Sequence, residues 1–181
     1  LDPARLVRGI ARAAASEGAT LHEGSAVVEL DASEVGDVRV RTAGGEVRAA
    51  VAVVATNAKA GDLLPWFADK VDPVRGQMLA TAECPPLFDC PIYANHGYDY
   101  WRQDERGCVV LGGWRNLDPE AEIGHREVVN MDIQGHMEEF LATVGVTAPI
   151  THRWAGIMGF SRDGLPLVGP APGAPGAPDC A

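Results

Sequence analysis

The chain has 181 residues, 46% of them apolar, and a formal net charge of −10 from 15 basic and 25 acidic side chains. That length suits one domain or two small ones, and the apolar share excludes wholesale disorder. The acidic balance argues against nucleic acid and anionic membrane surfaces, which select clustered Lys and Arg, and no run approaches the roughly 18 apolar residues of a membrane span.

The first element is a helix over residues 3–17. Asp2 is a suitable cap, Pro3 suits the first helical position, and Gly18 supplies the stop. Leu6, Ile10, Ala13 and Ala14 make its apolar stripe. Strand signals follow at 19–22 and 26–30. Residues 37–42 alternate, with Val38 and Val40 on one side and Arg39 and Arg41 on the other; Gly44-Gly45 turns the chain into a hairpin arm at 46–49. The continuous run Val51-Ala52-Val53-Val54-Ala55 predicts a strand buried on both faces of a parallel sheet. No basic, apolar leader precedes Asp2-Pro3-Ala4-Arg5, so a cytoplasmic location is expected. The opening residue is Leu1 rather than Met, and the string reads as mid-protein, so a piece of a longer chain is expected.

Past Lys70 the pattern becomes that of an antiparallel sheet, with strands at 74–81, 91–95, 98–103, 108–113, 151–157 and 165–168. A helix over 124–144 carries Val129, Ile133, Met137, Phe140, Leu141 and Val144 on one stripe. The expected fold class is α+β: an antiparallel-sheet domain with a flanking helix (73–168) and a partial α/β layer (1–72). The Pro/Gly/Ala-rich stretch 169–181 is expected to be a disordered tail.

Neither G-x-G-x-x-G nor G-x-x-x-x-G-K-[ST] occurs, so no standard pyrophosphate loop is present. Cys84, Cys90, Cys108 and Cys180 lack zinc-site spacing and read as free thiols. His125 and His136, three turns apart on the second helix, cannot share a metal ion, so no metal site is assigned. Asp118, Glu120 and Glu122 read as a solvated acidic loop. No catalytic acid, base or nucleophile is assigned.

A set of strings in fixed order does stand out. It runs Leu1-Asp2-Pro3-Ala4-Arg5-Leu6-Val7-Arg8-Gly9, Ser25-Ala26-Val27, Val53-Val54-Ala55-Thr56-Asn57, Pro73-Val74-Arg75-Gly76-Gln77-Met78, Leu111-Gly112-Gly113-Trp114-Arg115, Trp154-Ala155-Gly156 and Asp163-Gly164-Leu165-Pro166-Leu167-Val168-Gly169. The set resembles the FAD-dependent oxidoreductases of the D-amino-acid oxidase superfamily, above all the glycine/sarcosine-oxidase and glutamylputrescine-oxidase-like branches. The resemblance covers residues 1 to about 170.

It implies FAD as cofactor and a small amine or amino acid as substrate. The C–N bond would be oxidised to an imine, with hydride transfer to flavin N5. It implies that this chain holds the middle part of the FAD-binding domain, at 1–72, and the substrate domain. Val27 matches a residue whose main chain borders adenine, and Ala55-Thr56-Asn57 matches the small-residue turn beside the flavin. The substrate face would hold Tyr98, Tyr100 and Arg102, which share one side of a strand while Trp101 points the other way. At Met158 amino-acid oxidases carry an Arg for the substrate carboxylate. Met cannot pair with a carboxylate, so the departure favours an amine, or a carboxylate held by Arg102 or Arg115. Lacking the pyrophosphate loop, the chain alone is expected to bind FAD weakly or not at all and to be inactive. A surface left bare by absent segments could promote a homo-oligomer. A non-catalytic module that binds a ligand or partner, a truncated or degenerate relative, is the alternative.

Overall fold

A computed structural model describes residues 2–34 and 36–172. It divides into two units. Among the described residues, one comprises Pro73–Met158 with residues 2–3; the other comprises Ala4–Asp72 and residues 159–172. Residues 159–168, which the sequence pattern groups with the large sheet, thus cluster with the N-terminal segment. Positions 173–181, most of the expected tail, and Cys180 lie outside the described residues.

The N-terminal unit starts with α1 (Pro3–Ser16), followed by β1 (Val27–Glu34), β2 (Asp37–Thr42) and β3 (Gly45–Ala49). Gly18 ends the helix at φ +96°, a backbone region that favours glycine. The strands form an antiparallel meander in the order β1-β2-β3. Val38 and Val40 are half-buried while Arg39 and Arg41 are exposed, as the alternation predicts. Arg39 pairs with Asp31 at 3.1 Å, Arg41 with Glu29, and Arg48 with Asp37.

Two expectations fail in this unit. Residues 19–22 form no strand, and neither does Val51–Ala55; Val51 is 76% and Val53 87% exposed. A strand needs a neighbour to take its N–H and C=O groups, and no described strand lies alongside this run. Likewise α1 forms as expected yet buries no residue, with Leu6 and Ile10 exposed. A short 3-10 turn at Asn57–Lys59 leads into α2 (Ala60–Leu63).

The other unit is built on a five-stranded sheet in the order β5-β6-β7-β4-β8. Its strands are β4 (Val71–Glu83), β5 (Ile92–Ala94), β6 (Asp99–Gln103), β7 (Cys108–Gly113) and β8 (Ile150–Ser161). β5, β6, β7 and β4 pair antiparallel. β8 runs against β4, from Pro149 beside Ala82 to Met158 beside Gly76. The strand expected at 165–168 is absent, and β8 instead continues four residues past its expected end. One helix, α3 (Met131–Thr143), covers one face. Ile133, Met137 and Leu141 pack on Leu79, Val109 and Leu111, and Trp101 sits edge-on to Phe140 at 4.9 Å.

The helix is shorter than its apolar period suggests, and His125 lies outside it. Asn130 caps it, its side-chain oxygen accepting from Asp132 N and Ile133 N. The preceding residues are drawn to β4 instead: Gly124 N donates to Pro73 O, and Asn130 N to Gln77 Oε1.

The acidic loop divides in the same way. Asp118 and Glu120 are exposed, but Glu122 is fully buried. Its carboxylate accepts from Gln77 Nε2 at 2.8 Å, Asn130 Nδ2 at 3.0 Å and Arg75 Nε at 3.3 Å. Arg75 also donates to Arg126 O at 2.7 Å and to Ala121 O. A buried carboxylate is tolerable only when paired and hydrogen-bonded in this way. Because strand residues alternate, Arg75 and Gln77 clamp the loop on one side of β4 and leave Gly76 on the other.

Candidate functional site

The sheet face opposite α3 carries the first candidate site. Trp101 points into the core, so its neighbours Tyr100 and Arg102 point away from it. Alternation does not place Tyr98. It precedes β6 in a helical turn conformation (φ −78°, ψ −23°), where the 3-10 turn Asn95–Gly97 ends and alternation does not apply. Its ring is instead covered by the Arg115 guanidinium, 4.5 Å from the ring centre.

Glycines give Tyr100 its place. The cross-strand row Tyr93–Tyr100–Gly112–Met78 crosses four strands. A Cβ on Gly112 would overlap both the Tyr100 ring and Met78 Sδ, so the ring lies directly on the β7 backbone. One step along β4, a Cβ on Gly76 would stand 3.0 Å from Met158 Cε and 3.5 Å from Tyr100 Oη. Tyr100 and Met158 therefore meet over Gly76. Tyr93 stacks beside Tyr100, ring centres 6.1 Å apart. Burial pushes the Tyr100 phenol above its ordinary value; the Arg115 charge opposes this and Tyr93 adds to it. The phenol is thus a neutral hydrogen-bond donor at physiological pH. Sequence reasoning missed Tyr93, although the hairpin register of 92–94 on 99–101 could have placed it opposite Tyr100. Arg102 stands one row farther along, opposite Val110.

The second candidate site lies within the other unit. Val54, Ala55, Thr56 and Asn57 line a cavity of about 380 Å³ with Gly159 and Leu167. Asn57 takes φ +54°, a region short polar side chains tolerate, and its Oδ1 accepts from Gly159 N at 2.7 Å. A Cβ on Gly159 would fall 2.6 Å from that oxygen and 2.8 Å from Ala58 N. Small residues hold this turn where a planar group could approach the backbone. Val27, at the start of β1 opposite Thr42, is half-buried and does not line this cavity.

Comparison with known proteins places the chain. The family described as DAO, FAD dependent oxidoreductase, matches residues 1–179. Similar sequences include a probable oxidoreductase OrdL of Rhizobium meliloti, 28% identical over 92% of this chain and 39% of that protein, and a glycine oxidase of Bacillus licheniformis, 28% identical over 95% and 46%. Among solved structures, glycine oxidase from Geobacillus kaustophilus superposes with a TM-score of 0.74 at 24% identity, covering 94% of this chain and 46% of that one. L-proline dehydrogenase from P. horikoshii gives 0.74 at 21%, covering 93% and 46%. These structural likenesses show the α+β fold. The chain spans less than half the length of these relatives. FAD is the cofactor of the matching family, whose description covers nearly every residue here: the chain belongs to the FAD-dependent oxidoreductases.

Proposed function

We propose that this chain supplies the substrate face and part of the flavin cradle of an enzyme that oxidises the C–N bond of an amine or amino acid to an imine. The observation that carries this reading is the meeting of Tyr100 and Met158 over Gly76, on the open face of a sheet from a flavin-dependent family. Such an aromatic and thioether wall suits a neutral amine in a dry site. The Tyr100 hydroxyl is a donor for the substrate, with Met158 and the exposed Tyr93 ring beside it.

The Ala55–Asn57 turn with Gly159 would hold the flavin end of FAD, its small residues and backbone fitting a flat ring system. Val27 would offer its main chain to adenine. When bound, FAD supplies the two-electron acceptor for the amine C–H. No residue described here is assigned to bind its pyrophosphate, because no glycine-rich loop opens a helix in this sequence.

The test is the absorbance spectrum of the purified intact gene product, with hydrogen peroxide measured against a panel of amines and amino acids. Flavin absorbance and amine-dependent turnover are expected. A full-length protein without flavin would refute the reading. No observation favours the non-catalytic alternative.

A further inference from the structure

The open sheet face continues beyond Tyr100. The next cross-strand row is Arg102–Val110–Ala80, and the Thr151 hydroxyl on β8 donates to Ala80 O at 3.2 Å. Past it lies a cleft of about 530 Å³, floored by Ala80, Ala82, Cys108 and Val110 and edged by Glu83, Asp104 and Arg106. Two residues along a strand advance the chain by about 7 Å. A track of short side chains therefore leads from the Tyr100–Met158 wall past Arg102.

Arg102 is the unusual charge on this track. It is half-buried, yet among the described residues its guanidinium has neither an ion-pair nor a hydrogen-bond partner. Arg126 is exposed, and four other arginines of this unit are occupied. Arg75 is bound to Glu122, Arg106 to Asp104, and Arg153 to Gln134 and Glu138, while Arg115 lies on Tyr98. A guanidinium held part-buried without a counter-charge is a ready partner for a carboxylate, which it grips through two parallel N–H bonds. Met158 offers no such partner at the reacting end.

We infer that Arg102 anchors a carboxylate at the far end of the substrate. It would thereby select amines whose reacting nitrogen is separated from that carboxylate by an extended spacer of about 7 Å. The substrate class is then an ω-amino carboxylate rather than an α-amino acid. This rests on the amine-oxidising reading above.

The test uses 6-aminohexanoate, hexylamine and glycine as probes on the native protein, Arg102→Gln and Arg102→Lys, with circular dichroism to confirm folding. By titration calorimetry on the 181-residue chain, 6-aminohexanoate is expected to bind at least tenfold tighter than hexylamine or glycine. Arg102→Gln should erase that margin and Arg102→Lys should keep part of it. In the flavin-loaded intact protein, Arg102→Gln should lower the 6-aminohexanoate to hexylamine ratio of kcat/KM at least tenfold, through KM. A native protein that binds the two six-carbon probes equally, or an Arg102→Gln chain that keeps the margin, overturns the inference. Amine turnover with no Arg102-dependent margin overturns this inference alone. An Arg102-dependent margin in an intact protein that holds no flavin overturns the redox reading and leaves the anchor standing.

Discussion

Glu122→Ala tests whether the loop carboxylate holds the β4 face together. The side chain has no exposed surface, and its loss removes an acceptor from three donors. They are not stranded equally. Gln77 Nε2 keeps Val128 O at 3.1 Å, and Arg75 keeps the carbonyls of Arg126 and Ala121. Asn130 Nδ2 loses its one described partner, and the Arg75 charge, at 9% exposure, loses its counter-charge. Breaking a buried ion pair costs about 3–5 kcal/mol; the two retained carbonyls put this case at the lower end, about 3 kcal/mol. With a urea slope of about 1.5 kcal/mol per M, the midpoint should fall by about 2 M. Tryptophan fluorescence reports it, because Trp101 and Trp114 both pack on Phe140 in the core of this unit. Glu120→Ala, on the same loop but exposed, should stay within about 0.5 kcal/mol. A Glu122→Ala loss below about 1 kcal/mol would refute the clamp.

Four further outcomes are expected. Gly113→Ala places a Cβ on the Tyr98 carbonyl at φ +125°, backbone against backbone, and should cost more than about 3 kcal/mol in the same urea assay. Gly135→Ala, on the open side of α3, should instead gain about 0.5–1 kcal/mol. Asp104 closes the β6–β7 turn. Burial pushes its carboxyl up, but the N–H groups of Cys108 and Arg106, each at 2.9 Å, bring it below its ordinary 3.8. A lowered carboxyl stabilises above the unfolded value and loses that contribution as pH falls through the folded one. The stability gap to Asp104→Asn, about 1 kcal/mol at pH 7, should therefore close on acidification below 3.8. Titration calorimetry of the 181-residue chain with FAD should show weak binding or none; submicromolar affinity would contradict the view that the pyrophosphate needs a loop this sequence lacks.

Local chemistry alone determined much of this protein. Alternation and Gly turns located β2, the hairpin arm at Gly45–Ala49 and β7 at Cys108–Gly113. Asp2-Pro3 and Gly18 bounded α1. These signals lie within a few residues of what they specify. The ordered strings likewise led to the family, since each is a short contiguous piece of chain.

Other features depended on residues far apart in sequence, and only the tertiary structure decided them. Asp118, Glu120 and Glu122 look alike in the sequence, yet Glu122 is buried because Arg75 and Gln77, more than forty positions earlier, wait on β4. Val51–Ala55 has the composition of a core strand but no described neighbour to complete its hydrogen bonds, so it stays open. Tyr100 and Met158 come together through the glycine floor of Gly76 and Gly112, and Tyr98, carried by a turn rather than a strand, meets the Arg115 guanidinium. Backbone pattern is a property of neighbours in the chain, whereas burial, pairing and the company a side chain keeps are set by strands that meet only on folding.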